Sequence, residues 1–233
     1  MSDLKNKANI NTCESICSVC EQRHINPICS SDDLLSQISS IKIDLHFDAN
    51  TTLFQMGDVP KGLYSVKSGL VKIENYSRSG SAHTLRLFGP GSVFGYRSIF
   101  NDESSQASAV AVQDTEVCLL PREPILAVAK KNPEVLFKLV QQLSSDLKAA
   151  EQKWVRQMDL SAHERVADAL LFLTDKFKNV TWTRKDIAQW AGTTPETVIR
   201  TLSQFESEGL IDQSQGRSIH VKNRSGLEKY CLD

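Results

Sequence analysis

The fold of this chain is decided by residues 183–211, which read TRKDIAQWAGTTPETVIRTLSQFESEGLI. Thr183 is placed to cap a short helix, and Gly192 supplies the positive φ that a turn requires at no steric cost. Thr194 is a second N-cap, followed by Pro195 at the first helical position, where the missing N–H is harmless. The stretch therefore predicts two capped helices joined by a glycine turn.

The spacing of small and apolar residues predicts that these helices pack closely as a helix-turn-helix. Ala188 and Gly192 are four positions apart, and Val198 follows six positions later, where it fills the angle between the helices. The second helix then exposes one face, formed by Glu196, Ile199, Arg200 and Ser203.

An exposed face of this kind is typical of a helix that enters the major groove of DNA. Arg200 is placed to donate two hydrogen bonds to a guanine. Glu196 is placed to accept one from a cytosine, or else to orient Arg200. The alternative is a solvated face on which Glu196 and Arg200 form an i,i+4 ion pair.

The segment after the second helix predicts a β-hairpin, which makes the unit a winged helix. Residues 210–212 and 218–221 are its strand candidates, and residues 215–217 form the turn. Arg217 at the tip is expected to contact phosphate, as are Thr183 and Arg184, and such contacts fix position rather than read sequence. The expected DNA-binding set is Thr183, Arg184, Thr194, Pro195, Glu196, Ile199, Arg200, Ser203 and Arg217.

Upstream of this unit, the sequence predicts one long helix over residues 133–159. Apolar residues recur there in steps of four and three, at Leu136, Val140, Leu143, Leu147, Ala150, Trp154 and Met158. Such a narrow seam, flanked by charged residues, is typical of a helix that pairs with a second copy of itself. The alternative is a single helix that lies on its own barrel. Ser161 and Glu164 then match a capping box that begins the last domain.

Residues 41–120 consist of short apolar runs separated by turn residues, such as residues 52–54 before Gly57 and residues 63–66 before Gly69. Many short strands of this kind predict a small antiparallel barrel or sandwich. The expected organisation is a cysteine-rich arm at 1–30, a β domain at 31–132, a helix at 133–159 and a helical domain at 160–233.

The composition limits the function classes. The 233 residues are 40% hydrophobic with a formal charge of −1, which is ordinary for a globular protein. No apolar run approaches the roughly eighteen residues of a membrane span, and the polar N-terminus lacks a secretory signal. We therefore expect a cytoplasmic protein with no membrane partner.

An enzyme is not expected, because there is no glycine-rich phosphate loop or nucleophile–base motif, and the five histidines are dispersed. A protein that only binds a small molecule would leave the capped helices and Arg200 unexplained.

The six cysteines are unevenly placed, with Cys13, Cys17, Cys20 and Cys29 in the arm and Cys118 and Cys231 alone. Disulfides are disfavoured in a reducing cytoplasm, so the group indicates a metal site or a redox site. Cys118 lies among apolar residues and is alternatively an ordinary core cysteine. The N-terminal set alternatively holds a structural zinc ion or acts as a thiol switch.

As a whole, residues 30–225 resemble the Crp/Fnr family of bacterial transcription regulators. The resemblance rests on Phe54-Gln-Met-Gly57-Asp58 through Leu63-Tyr64-Ser65-Val66-Lys67-Ser68-Gly69, on Gly89-Pro90-Gly91-Ser-Val-Phe94-Gly95, and on Thr194-Pro195-Glu196-Thr197-Val198-Ile199-Arg200. It implies an α+β fold: an N-terminal antiparallel, jelly-roll-like β-roll as sensor domain, a long dimerisation helix and a C-terminal winged helix-turn-helix. It also implies a homodimer that binds palindromic double-stranded DNA, with half-sites about 34–36 Å apart. RNA polymerase is expected as a further partner.

One position of the recognition helix departs from the best-known Fnr member. That member carries a small polar residue where this chain has Ile199. An apolar side chain there is placed to contact a thymine methyl group, so the half-site is expected to differ.

The branches of the family differ in the signal that they sense. The cyclic-nucleotide branch holds the ligand phosphate with a Glu after the Phe-Gly pair and with a downstream Arg-Ser step. Here the corresponding stretches are Gly95-Tyr96-Arg97-Ser98 and Ala107-Ser108-Ala109. The bidentate Arg is absent and only Arg97 is left as a substitute, so a cyclic nucleotide is the alternative signal and is disfavoured.

The arm instead resembles the oxygen-sensing Fnr branch, which holds a 4Fe-4S cluster with N-terminal cysteines and one from the β-roll. The resemblance covers Cys17-Ser-Val-Cys20-Glu-Gln-Arg23-His24-Ile-Asn-Pro-Ile-Cys29 and Val117-Cys118-Leu119-Leu120-Pro121. It implies Cys17, Cys20, Cys29 and Cys118 as the four ligands, with Cys13 as a spare that competes for a place. Loss of the cluster to oxygen or nitric oxide is then expected to weaken the dimer and its binding to both half-sites.

Overall fold

The computed structural model describes residues 17, 20–26, 28, 29, 32–214 and 218–232, so that Cys13 and Arg217 lie outside this part. Its first elements are α1 Asp32–Ile41, β1 Ile43–Phe47, β2 Thr52–Phe54, β3 Gly62–Ser68, β4 Val71–Tyr76, β5 Ala82–Phe88, β6 Val93–Phe94, α2 Tyr96–Asn101, β7 Ser108–Ala111 and β8 Thr115–Pro121. They are followed by α3 Arg122–Lys131, α4 Pro133–Asp159, α5 Ala162–Lys176, α6 Arg184–Ala191, α7 Pro195–Ser207, β9 Ile211–Asp212, β10 His220–Val221 and α8 Arg224–Leu232.

Strands β1 to β8 form the expected β-roll from two four-stranded sheets. One sheet has the order β1-β8-β3-β6 and the other β2-β7-β4-β5, with antiparallel pairing. Aromatic rings fill the interior, where Tyr64 stacks on Phe94 at 5.2 Å and Phe88 lies 5.2 Å from the same ring. The expected α+β fold, with a β-roll before a long helix and a helix-turn-helix, is therefore confirmed.

Three helices within residues 31–132 were not predicted from the sequence. The first of them, α1, carries Leu34 and Ile38 on one face, and these side chains pack into a core with Ile125 and Val128 of α3. Helices this short are marginal on their own and are stabilised by the apolar surface that they bury in the fold.

The chain is divided into two compact units. The first contains Met1–Asn75 with Leu85–Leu147, which includes the β-roll and the first part of α4. The second contains Tyr76–Thr84 with Lys148–Asp233, which includes the rest of α4 and helices α5 to α8.

The second unit is organised around α5 and the two helices that follow it. A capping box begins α5, because Ser161 N donates to Glu164 Oε2 at 2.5 Å while the Ser161 side chain accepts from Glu164 N. Val166, Leu202 and Phe205 are fully buried and form part of its core. Within the part of the chain that the structure describes, no helix combines the length and apolar character needed to cross a membrane.

Candidate functional site

Two capped helices, α6 and α7, form the helix-turn-helix. At the start of α6, Thr183 Oγ1 accepts from Asp186 N, and Thr183 N donates to the Asp186 carboxylate, both at 3.1 Å. Gly192 ends the helix with a φ of 65°, in the left-handed region that a residue with a side chain rarely adopts. Thr194 then caps α7 by accepting from Thr197 N at 3.3 Å. Thr183 and Thr194 thus act as the predicted N-caps, and Gly192 forms the predicted turn.

One face of α7 is buried and the opposite face is exposed. Val198, Leu202 and Phe205 have no exposed surface, so they fix the helix on its unit. Pro195, Glu196, Ile199, Arg200 and Ser203 are exposed, as expected for a surface that meets DNA. The side chain of Ile199 is 54% exposed, which is unusual for an apolar residue unless another molecule covers it.

The expected pair of readers, Glu196 and Arg200, is not joined by an ion pair or hydrogen bond within the described residues. Hydrogen bonds from its own backbone N–H and from the Thr194 hydroxyl lower the pKa of the Glu196 carboxyl group. The alternative of an i,i+4 ion pair on a solvated face is therefore not realised. The Arg200 guanidinium stays available for a partner outside the chain.

Other members of the expected DNA-binding set are engaged within the unit. Arg184 donates to Gln213 Oε1 at 2.6 Å and so ties the start of α6 to the residue after β9. Ser203 Oγ donates to the backbone oxygen of Ile199 at 3.1 Å. Strands β9 and β10 pair antiparallel and support the predicted wing, whose tip residue Arg217 lies outside the described residues.

The predicted seam of α4 is exposed in the single chain. The exposed residues are Leu136, Val140, Leu143, Leu147, Ala150, Trp154 and Met158, with exposed fractions from 37% to 71% for the large side chains. Val135 and Leu139, which were not in the predicted seam, are instead buried in the core of the first unit. The helix therefore packs on its own domain through one face and leaves the seam open.

Four cysteines line one small pocket in the first unit. Cys17, Cys20 and Cys29 come from the turns that precede α1, and Cys118 comes from β8. Backbone hydrogen bonds hold these turns, among them Cys20 N to Cys17 O and Cys29 N to Asn26 O, both at 3.3 Å. All four residues that the sequence singled out as ligands thus line the same pocket, although Cys118 is far from the others along the chain.

The pocket also contains residues that the sequence did not single out. Arg23, Asn26, Lys42, Ser65 and Lys67 line it with the cysteines. Asn26 is 3% exposed, donates from Nδ2 to Ser65 Oγ at 2.5 Å and accepts from Ile28 N at 2.8 Å. The sequence feature that points to Asn26 is its position between two proposed ligands, Cys20 and Cys29.

The pocket thiols are shielded from water in this state. Burial, with Cys17 and Cys20 adding to it, raises the pKa of Cys29 to about 12. Burial and the Asp44 carboxylate raise the pKa of Cys118, whose thiol donates to Asp44 Oδ1 at 3.2 Å. Since the thiolate is the reactive form, the raised pKa makes the thiols of Cys29 and Cys118 poor nucleophiles.

The four thiols of the pocket are the kind of ligand set that an iron–sulfur cluster requires. Four cysteine thiolates are the ligands that an iron–sulfur cluster uses, so the chemistry of the pocket fits. The space between the side chains is about 20 Å³, roughly the room of one water molecule, so the arm must move outward to admit a larger group. Among the described residues, no three His, Cys, Asp or Glu side chains lie close enough together to bind a single metal ion.

One residue of the stretches that correspond to the nucleotide site of the cyclic-nucleotide branch, Tyr96, belongs to an internal hydrogen-bond network. Tyr96 is 4% exposed, and its hydroxyl accepts from Arg86 Nη1 at 3.2 Å. The same nitrogen pairs with Asp146 Oδ2 on α4 at 2.8 Å, and Gln142 donates to Asp146 at 3.0 Å. Arg97, the expected substitute for the missing Arg, is exposed and is not part of this network.

Comparison with known proteins agrees with this architecture. Residues 44–132 match the model of a cyclic nucleotide-binding domain, and residues 164–230 match the model of a Crp-like helix-turn-helix domain. The cyclic AMP receptor protein of Thermus thermophilus is 35% identical over 182 residues, which cover 77% of this chain and 84% of the relative. The fumarate and nitrate reduction regulatory protein of Escherichia coli is 26% identical over 185 residues, which cover 76% and 73% of the two chains.

A solved structure is similar over the same range. FixK2 from Bradyrhizobium japonicum superposes with a TM-score of 0.73 at 26% identity and covers 83% of this chain and 98% of its own. Sequence, fold and site agree, so this chain belongs to the Crp/Fnr family and is a DNA-binding transcription regulator, not an enzyme.

Proposed function

We propose that this regulator senses oxygen or nitric oxide through a 4Fe-4S cluster held by Cys17, Cys20, Cys29 and Cys118. The observation that carries the proposal is that these four cysteines, three from the arm and one from β8, line a single pocket. When bound there, such a cluster supplies a group that oxygen and nitric oxide can dismantle. The names of two relatives point the same way, an anaerobic regulatory protein of Haemophilus influenzae and the fumarate and nitrate reduction protein of Escherichia coli.

The charges around the pocket support an anionic occupant. Arg23, Lys42 and Lys67 contribute cations to its lining. Four thiolates carry more negative charge than the net positive charge of an iron–sulfide core offsets, so nearby cations stabilise the bound state. Asp44 offsets part of the positive charge of the lining, because Lys42 Nζ lies 2.5 Å from its carboxylate and Lys67 Nζ lies 3.7 Å from it.

The arm gives the pocket a route to the dimerisation helix. Asn26 lines the cysteine pocket and also a groove of about 300 Å³ formed with His24, Ile25 and polar residues of α4 such as Lys138 and Gln142. Movement of the arm therefore changes what lies against α4. We infer that loss of the cysteine ligation weakens the pairing of the exposed seam in this way.

Output is proposed to follow from two recognition helices in one homodimer. Each α7 is proposed to present Glu196, Ile199 and Arg200 to one half-site of a palindrome, with Arg200 donating to a guanine. Thr183, Arg184, Thr194, Pro195, Ser203 and Arg217 are proposed to support it near the backbone. Contact of the bound dimer with RNA polymerase is part of the proposal.

A second candidate signal is a cyclic nucleotide, as in the relative named cyclic AMP receptor protein. The match of residues 44–132 to a cyclic nucleotide-binding domain favours it. Against it stand the missing bidentate Arg and the hydrogen bonds that tie Tyr96, in the corresponding stretch, to Arg86 and through it to Asp146. Calorimetric titration with cyclic AMP distinguishes the two candidates, and we expect no heat of binding.

The metal content of anaerobically purified protein tests the iron–sulfur proposal. We expect a brown protein with iron and sulfide in equal amounts, which bleaches in air. Cys118→Ser is expected to lose the colour and the iron, while Cys231→Ser, a matched control at a half-buried cysteine outside the pocket, keeps both. Cys13→Ser should also keep both. Loss of iron in this variant would make Cys13 a ligand in place of one of the other three arm cysteines. A colourless wild-type protein that contains only zinc would exclude the proposal.

A further inference from the structure

The second half of α4 is shielded from water at two positions. Among residues 148–159, Lys153 and Gln157 are partly buried and the others are exposed. The two side chains are one helical turn apart, so they lie on the same face of the helix. Both make contacts within the second unit, which also carries the helix-turn-helix.

Lys153 makes two directional contacts there. Its Nζ donates to the backbone oxygen of Thr84 at 2.7 Å and lies 3.5 Å from the centroid of the Trp190 ring. Trp190 belongs to α6, and its other neighbour is the Phe172 ring of α5, stacked at 4.6 Å with the planes 8° apart. An ammonium over an indole face is the strongest of the cation–π pairs that proteins form.

The end of α6 is held by the same surroundings. Gln157 Nε2 donates to the Ala191 oxygen at 3.3 Å, and Arg165 Nε donates to the same oxygen at 2.9 Å. A side chain at Gly192 would meet the Gln157 oxygen at 2.7 Å, too close for an ordinary contact. The turn between the two helices is therefore pinned against α4 and α5.

Burying a charge at position 153 is costly and calls for a reason. Burial lowers the pKa of Lys153 to about 8, while Asp168 acts in the opposite direction. An unbranched apolar side chain would fill the same space without that cost. It would not, however, have the single preferred location that a carbonyl oxygen and a ring face give to an ammonium group.

We propose that Lys153 is a positioning residue for DNA recognition, which sets the angle between α4 and the helix-turn-helix through Thr84 and Trp190. In a dimer paired through α4, that angle fixes the distance between the two copies of α7, and so the half-site spacing that the protein accepts. The inference rests on the proposed dimer and on α7 as the recognition helix. It does not depend on the identity of the signal.

The test measures binding to duplexes of different spacing. The probe is a palindromic duplex selected from random DNA with anaerobically prepared wild-type protein, together with versions whose central spacer is shortened by one base pair or lengthened by one or two. Lys153→Met should lower the preference for the selected spacer at least about fivefold. Lys148→Met, which removes an exposed lysine of the same helix, should leave the preference unchanged. Lys153→Arg should retain most of it, because guanidinium also stacks on aromatic faces.

Two outcomes would overturn the proposal. An unchanged spacer ratio in a dimeric, folded Lys153→Met protein overturns it. So does a variant that no longer folds, if Trp190→Phe folds and keeps the wild-type ratio, since the lysine would then act on stability alone. The DNA-binding face is tested separately, because Arg200→Ala should weaken binding to all spacer versions of the selected duplex by the same factor and leave the spacer ratio intact.

Discussion

Arginine has two kinds of role in the second unit. Arg165 donates to the backbone oxygens of Leu160 and Ala191 and so fixes where α6 ends. Arg200 has no such partner among the described residues and is exposed near the middle of α7. A guanidinium in this state breaks no internal bond when it binds a base, so its full hydrogen-bonding capacity is available for recognition.

Replacing Arg200 by Ala tests the proposed reader of the sequence. A bidentate contact to guanine is worth about 1–3 kcal/mol, so affinity for the selected duplex should fall about 5- to 150-fold, and discrimination at one base pair should relax. The measurement is fluorescence anisotropy with the matched and the substituted duplex. Arg97→Ala, at an exposed arginine of α2, is the control and should change neither value. A loss that is equal for all bases at that position would make Arg200 a phosphate contact instead.

At the scale of elements, the helices with explicit end signals were the predictable ones. Thr183, Gly192 and Thr194 fixed the bounds of α6 and α7, because each supplies a hydrogen bond or a backbone conformation that only a few residue types provide. Helix α1 lacks such a signal and was missed, although Leu34 and Ile38 are spaced for one face. Its stability comes from packing against α3, which is a contact between distant parts of the chain.

The candidate cysteine site was predictable in part for the same reason. Cysteine is recognisable as a possible metal ligand by residue type alone, so the sequence predicts the four candidates. Ser65 and Lys67 enter the pocket through the fold, since they lie two positions apart on β3 and Ser65 is opposite Cys118 on β8. Common residue types carry no signal until the strands are paired.

The capping box of α5 gives a prediction of pH dependence. Hydrogen bonds from Ser161 lower the pKa of Glu164 below its ordinary value of 4.5. The ionised carboxylate therefore stabilises the fold fully above that value, and this stabilisation is lost as the pH falls through the lowered pKa. The gap in free energy of unfolding between wild type and Glu164→Gln should be open at pH 7 and should close toward pH 3. Urea denaturation at several pH values measures it, and a gap that widens on acidification would contradict the assignment.

At the scale of the whole molecule, the exposed seam of α4 is an uncovered row of large apolar side chains. Leu147, Trp154 and Met158 are 57%, 67% and 71% exposed in the single chain. Solvated aromatic and aliphatic side chains in a row at helical spacing are typical of a surface that another helix covers. The seam lies between the β-roll and the helix-turn-helix in sequence, so it is the element through which the proposed signal would reach the proposed output.

Leu147→Asp tests whether the seam holds two copies together. Because Leu147 is exposed in the single chain, the substitution should leave the fold intact and place two like charges against each other in a pair. We expect a monomer by sedimentation, with binding to the palindrome lost. Val155→Asp introduces the same charge at another exposed apolar residue of α4, outside the seam, and should remain dimeric. Equal behaviour of the two variants would argue that the helix pairs through a different face.

The position of Cys118 within a fully paired strand has a consequence for how the protein matures. β8 bonds to β1 on one side and to β3 on the other, with Cys118 opposite Asp44 in one register and Ser65 in the other. Its place is therefore set when the barrel folds, with no contribution from the arm. We therefore expect the β-roll of a newly made chain to form before any iron is delivered, unlike small zinc domains that need metal to fold at all. Under the proposed function, the cell would hold a reserve of folded but unloaded molecules, and the supply of iron and sulfur would decide how many of them carry the cluster.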